Sequence, residues 1–226
     1  MTTAATQPAR PVETVRAPKL RADATRNRER IVLAARDAFV ELGPDVPLDE
    51  VAKRAGVGNA TLYRNFPDRA ALIREVALLV KNRILALAET ATAAADAPGG
   101  ISPFDALQQF AHAAVEEKVG ALCPLFTDRI DPFDPELVET RERLTAAVGG
   151  LLERARAAGE LRPDVDHGDL FIAISQLTRP LPGTSCRLLD DFVHRHLQLF
   201  LDGLRAPARS VLPGRAATFE DFHAHH

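Results

Sequence analysis

The stretch that most narrows what this chain can fold into is Pro47 to Phe66, PLDEVAKRAGVGNATLYRNF. Leu48, Val51, Ala52 and Ala55 recur at i, i+3, i+4 and i+7, which gathers apolar side chains on one face of an α-helix. Such a face has to pack against something. Gly56 follows at once, where a chain leaving a helix sharply needs a positive φ that glycine reaches without steric cost, so this helix is expected to end near Ala55. Val57 is expected to fill the gap between two helices, and from Asn59 to Phe66 a second short helix sets Leu62 and Phe66 on one face. Its other face shows Asn59, Thr61, Tyr63, Arg64 and Asn65, groups that hydrogen-bond base edges, phosphates and sugars. This is the grammar of a helix-turn-helix. The same grammar also builds ordinary helical domains, so the surrounding sequence has to decide.

Composition sets the class. Of 226 residues 46% are hydrophobic but only 5% aromatic, with no Trp and one Tyr, so the core is built from Ala, Leu and Val with some Phe. Alternating β-branched runs and Asn-Gly hairpin signals are absent, and the fold class read from this is all-α. The net charge of −3 excludes a polycation that binds nucleic acid everywhere. Its distribution is uneven, with 12 Lys and Arg against 9 Asp and Glu up to Ala70 and 16 against 22 beyond. A basic head on an acidic body suits a site-specific DNA binder with a separate second domain. Cys123 and Cys186 stand apart and are expected to be reduced thiols. No apolar run approaches the roughly 20 residues that span a bilayer, and the first twenty residues lack a secretion signal, so a cytoplasmic protein with no membrane partner is expected.

Taken in order, residues 1–22 are read as a disordered N-terminal arm whose Arg10, Arg16, Lys19 and Arg21 are the residues able to follow a phosphate backbone. A first helix is expected from Thr25, with Asp23 or Thr25 as cap, and with Phe39 and Leu42 in the core before Gly43-Pro44 stops it. Residues 23–70 then form the DNA-binding unit. Pro67-Asp68 breaks the chain before a long helix from Arg69 to about Ala95, roughly 40 Å in length. Residues 71–205 form a second helical domain, with a helix capped by Ser102, a proline-broken stretch from Leu122 to Phe133, a helix over Glu136 to Ala158, another capped by Asp166, and a last one from Ser185 to Leu204. Apolar residues cover more of that last helix than one internal face needs, which points to self-association. Residues 206–226 are expected to be a flexible, frayed tail.

The wording of the two short helices carries a resemblance. GVGNATLYRNFPDRAALI resembles the recognition helix and following helix start of the TetR family of bacterial repressors, RNRERIVLAARDAFVELG its first helix, and LDEVAKRAG its second. The likeness is close from Arg26 to Leu78, and GELRPDVDHGDL with FLDGLRAP resembles the C-terminal halves of one TetR subgroup. It implies that Asn59 and Ala60 face base edges and that Thr61, Tyr63 and Asn65 contact phosphates. By the same likeness Arg64 reaches either, and Arg69 pairs with a phosphate. The chain departs from the family at Pro47 and Gly58, where Ser or Thr usually caps the helices, and at Asn65, where His is usual. The resemblance also implies a homodimer through the last two helices, a palindromic double-stranded DNA operator, and release by a small-molecule effector acting through the long helix.

No catalytic constellation is present: the chain lacks G-x-S-x-G, H-E-x-x-H, a P-loop, and G-x-G-x-x-G after a strand. The protein is therefore expected to be no enzyme and to need no cofactor. His194 and His196 lie two apart on a helix and do not share a face, and Asp128, Asp131 and Asp134 lack calcium-loop spacing, so no metal is expected. Gln108, His112, Arg141 and Gln176 interrupt apolar helical patterns and are the candidate residues for an effector pocket. The alternative reading is an all-α ligand carrier or enzyme with a vestigial DNA-binding head.

Overall fold

The computed structural model describes residues 16–180 and 187–222, and among them nine α-helices and no β-strand. The helices are α1 (Arg16–Leu42), α2 (Leu48–Ala55), α3 (Asn59–Asn65), α4 (Arg69–Asp96), α5 (Pro103–Ala114), α6 (Val119–Asp128), α7 (Pro135–Ala157), α8 (His167–Leu177) and α9 (Arg187–Leu204). Residues 1–15, Cys186 and residues 223–226 lie outside the described residues.

The first four helices share one core. Ile31, Ala35 and Phe39 of α1 meet Val51, Ala52 and Ala55 of α2, Leu62 of α3, Phe66, and Leu72, Ile73 and Val76 of α4, all almost without solvent exposure. The apolar spacing of each segment decides which face turns inward. The body has a second core, in which Phe104, Leu107 and Phe110 of α5 pack with Val148, Leu151 and Leu152 of α7 and with Leu170 and Ile174 of α8. Val193, Leu197 and Leu201 of α9 and Ala88 and Ala91 of α4 complete it. Helix α4 thus contributes to both cores. Its N-terminal half is held to α7 by Arg74, which donates to both carboxylate oxygens of Asp134 at 2.7 and 3.0 Å and to Glu136 at 2.8 Å.

Local chemistry fixes where the helices begin. Asp68 caps α4 by accepting the Ala71 N–H, Ser102 caps α5 by accepting from Asp105, and Asp134 caps α7 by accepting from Glu136 and Leu137. Asp166 and Asp169 form a capping box at α8.

Four expectations need correction. Helix α1 is already formed at Arg16, the first described residue, and does not start near Thr25, so the boundary expected between residues 22 and 23 falls inside a helix. Ala17, Leu20, Ala22 and Ala24 favour a helix there. Leu42, expected in the core, ends α1 with 55% of its surface exposed, while Val46 of the following loop is buried. Helix α6 runs through position 124, where proline removes one helical bond without ending the helix. The segment after Ala206, expected to fray, instead packs back on α8 through contacts described below.

Helix α6 lies so close to α8 that only a residue without a side chain fits at position 120. A Cβ on Gly120 would stand 1.9 Å from the Ser175 carbonyl oxygen and 2.7 Å from the Arg179 nitrogen. The Gly120 N–H also donates to the buried Thr178 hydroxyl at 2.8 Å, and that hydroxyl donates to the Ile174 carbonyl at 2.8 Å. Gly120→Ala should therefore force the helices apart and cost about 1–3 kcal/mol, read as a lower urea midpoint; an unchanged midpoint would contradict this packing.

Candidate functional site

The turn between α2 and α3 is built on Gly56, which adopts the left-handed conformation at φ 63°, ψ 37° and donates its N–H back to Ala52 and Lys53. Two arginines of α1 lock the motif from behind. Arg30 donates to the carbonyls of Ala55 at 2.5 Å and Gly56 at 3.4 Å, and a Cβ at position 56 would meet that guanidinium at 2.7 Å. Arg28 donates to the Asn65 carbonyl at 3.2 Å, lies 4.5 Å over the Phe66 ring and pairs with Glu75 at 2.9 Å. Half-buried Val57 packs between the helices as its apolar character implies. Pro47 and Gly58 stand at the starts of α2 and α3 without a side-chain cap.

This frame presents α3 to solvent. Asn59, Ala60, Tyr63 and Arg64 form an exposed stripe, while Thr61 and Asn65 lie half-buried at its edge. The Asn59 amide donates to Asp49 of α2 at 2.8 Å, which orients it across the turn. Arg64 folds along its own helix, donating to the Ala60 carbonyl and the Thr61 hydroxyl, both at 3.1 Å, and the Asn65 amide donates to the Thr61 carbonyl at 2.8 Å. Lys53, read from sequence as a solvated face, is 81% exposed and only loosely paired with Glu50 at 3.7 Å, so it is a cation ready at the edge of the stripe.

Arg69 is placed differently from the rest. It is half-buried and donates to the carbonyls of Pro44 at 2.9 Å and Val46 at 2.7 Å, tying the start of α4 to the loop that enters α2. Hydrogen bonds from charged groups are worth roughly 1.5–3 kcal/mol. Arg69→Met should consequently lower the melting temperature, whereas Tyr63→Ala, at a residue 49% exposed, should change stability by no more than about 0.5 kcal/mol; equal melting temperatures for both variants and the native chain would contradict the assignment.

Behind the head, α4, α5, α6, α7 and α8 line a partly open cavity of about 550 Å³. Its walls are mostly apolar, with Val80, Ile84, Phe110, Leu144, Val148 and Phe171 among them. Of the four residues expected at a pocket, Arg141 lines it. Gln108 and His112 instead face α9, where His112 contacts His194 at 2.9 Å and the Gln198 carbonyl oxygen at 3.0 Å, and Gln198 reaches Gln108 at 3.5 Å. Gln176 is exposed on α8. The polar residues that join Arg141 at the walls are Lys81, Cys123, Asp131, Thr145, His167 and Asp221, none of which the sequence pattern singled out as a ligand group. Burial, and next the charge of Arg141, pull the Lys81 ammonium below the ordinary lysine value; burial pushes the Cys123 thiol up, so it stays protonated at neutral pH.

The C-terminal segment closes one side of this cavity. Gly168 donates to the Ala217 carbonyl at 2.9 Å, and a Cβ there would meet that oxygen at 2.3 Å. Phe219 and Phe222 pack around Phe171, one edge-on and one tilted, with ring centroids 5.4 and 5.2 Å away. The Phe219 N–H donates to His167 Nε2 at 3.0 Å, while His167 Nδ1 lies 2.6 Å from Asp166. A nitrogen that accepts carries no proton, so His167 holds its proton on Nδ1 and donates it to Asp166. Asp221 is paired with Arg215 and accepts from Thr218, which keeps its carboxyl below the usual carboxylate range. Among the described residues no group of three His, Cys, Asp or Glu is placed to hold a metal ion, and no described helix is long and apolar enough to cross a membrane.

Comparison with known proteins assigns both halves. Residues 31–76 match the model of bacterial regulatory proteins of the tetR family, and residues 102–206 match that of the transcriptional regulator SbtR-like C-terminal domain. No curated protein matches at comparable significance. Among solved structures, a TetR transcriptional regulator from Streptomyces coelicolor is 30% identical with a TM-score of 0.57, the match covering 80% of this chain and 99% of that one. A TetR regulatory protein from Mycobacterium vanbaalenii is 34% identical with a TM-score of 0.53, covering 83% and 99%. PfmR of Thermus thermophilus, at 20% identity and a TM-score of 0.52 over 83% and 98%, shares the fold. With its locked helix-turn-helix, its all-helical body and these matches along both, the chain belongs to the TetR family of bacterial transcriptional regulators.

Proposed function

We propose that this chain is a cytoplasmic, homodimeric repressor that binds a palindromic operator and is released from it when a small molecule enters the cavity. One observation carries the reading: the exposed polar stripe of α3 sits on a braced turn, and the helix that follows it, α4, runs directly into the wall of a cavity. In this reading residues 23–70 are the DNA-binding unit and residues 71–205 the effector-binding and dimerisation domain. Asn59 and Ala60 face base edges in the major groove. Thr61, Tyr63, Arg64 and Asn65 contact phosphates at its rim, with Lys53 beside them. Arg69 supports the motif through the loop carbonyls and offers its remaining N–H groups to a phosphate.

Dimerisation is supported by the outer face of the last two helices. The inner face of α9 is spent on Val193, Leu197, Leu201 and Leu204 in the body core, yet Phe192 and Leu199 remain 48% and 61% exposed, and Ile172 of α8 is 40% exposed. Phe192, His196, Leu199 and Gly203 recur at helical spacing on one side, and nothing lies within 4 Å of a Cβ placed on Gly203. In this reading a second copy related by a two-fold axis packs there, and the two α3 helices meet half-sites about one turn of DNA apart, roughly 34–36 Å.

The test is binding of the full chain to DNA flanking its own coding region, titrated at several salt concentrations against scrambled competitor. Binding that resists competitor is expected, with affinity falling about tenfold in Tyr63→Ala and in Asn59→Ala. Lys53→Ala should flatten the salt dependence by about one unit of slope. Affinity unchanged in all three variants would remove the assignment of α3. Leu199→Lys should shift the protein toward monomer in light scattering and weaken operator binding in parallel; a dimer that persists would place the interface elsewhere.

A further inference from the structure

Resting on the reading of the cavity as an effector site, we infer that its ligand is an apolar organic anion whose charged group is held between Lys81 of α4 and Arg141 of α7. Both cations line the cavity, one from each of the two long helices that flank it. Among the described residues neither side chain makes a hydrogen bond or an ion pair. Asp221 is paired with Arg215 and His167 is fixed between Asp166 and the Phe219 N–H, while the Asp131 carboxylate accepts the Phe133 N–H at 2.9 Å and hydrogen-bonds neither cation. Two cations at the wall of a mostly apolar space, with no carboxylate hydrogen-bonded to either, carry a desolvation cost that an anion from outside can offset. Lys81 senses this arrangement, since burial and the Arg141 charge both act against its protonated form.

The remaining wall states what the rest of the ligand must be. Ile84, Phe110, Leu144, Val148, Phe171 and Phe219 surround the cations with carbon. The volume of about 550 Å³ lies within the roughly 300–1,000 Å³ usual for small-molecule sites. A ligand with one acidic group and a hydrocarbon or aromatic body satisfies both, and a polycation or a neutral sugar satisfies neither. An anion bridging the two cations replaces repulsion between α4 and α7 with attraction. Lys81 stands 12 residues from the start of α4 at Arg69, about 18 Å along the helix axis, so this change acts on the helix that carries the head.

The test uses a matched pair of fluorescent probes on the full chain, anilinonaphthalene sulfonate and N-phenylnaphthylamine, which share a body and differ in the anionic group. The sulfonate should bind one per chain and about tenfold or more tightly than the neutral amine. That preference should fall in Lys81→Met and in Arg141→Met and vanish in the double variant, with helical circular dichroism retained in each. Equal affinities, tighter binding of the amine, binding of neither probe, or a preference that survives the double variant would overturn the inference. A parallel titration of operator DNA by probe-saturated protein separates the two readings. Anion preference with unchanged operator affinity would leave the ligand class standing and remove effector release.

Discussion

A single helix, α4, takes part in both cores and in the cavity wall of this molecule. Leu72, Ile73 and Val76 close the core of the head, Val80 and Ile84 form cavity wall, and Ala88 and Ala91 belong to the core of the body. A helix buried in sequence against three environments cannot shift in one without disturbing the others, because packed interiors do not deform continuously. The bridge from Arg74 to Asp134 and Glu136 strengthens the tie, since it joins the head-side half of α4 to the first turn of α7, the helix that bears Arg141.

Charge in the head is divided between construction and display. Arg28, Arg30 and Arg69 donate to backbone carbonyls at the turn, at the end of α3 and in the loop before α2. Arg54 is bound to Glu41 and Glu50, and Arg36 pairs with Asp37 and reaches the Glu116 carbonyl in the body. From Asp23 to Ala70 eight basic residues meet eight acidic ones, so the head itself is balanced, and much of its positive charge is spent on construction. What the head displays is the short stripe of Asn59, Tyr63 and Arg64 with Lys53 beside it, a surface suited to one groove of DNA and not to indiscriminate attraction.

Much of the fold was legible because its punctuation is local. Gly56 ends α2, Asp68, Ser102 and Asp166 start helices, and helical spacing in α7 and α9 names their buried faces. The α3 stripe was legible for the same reason, since a short helix with Leu62 and Phe66 inward leaves its other residues outward. The cavity was not, because polarity within an apolar helix marks either a site or a partner on another helix. Gln108 and His112 meet α9, whereas Lys81, in the run LLVKNRIL, reads as a solvated interruption until α7 brings Arg141 to the same space. The C-terminal segment was misread because Phe219 and Phe222 have no periodic neighbours. Their burial depends on Gly168 and Phe171, some fifty residues away, and that pairing has no local signature.

The proposed coupling between the cavity and the DNA-binding face runs through α4, and coupling of that kind is reciprocal. The most direct measurement is the affinity of the full chain for anilinonaphthalene sulfonate with and without saturating operator DNA. If α4 links the two sites, operator should weaken probe binding by about 5- to 150-fold, the range typical of such coupling. An affinity identical in the two titrations, with operator bound throughout, would contradict it.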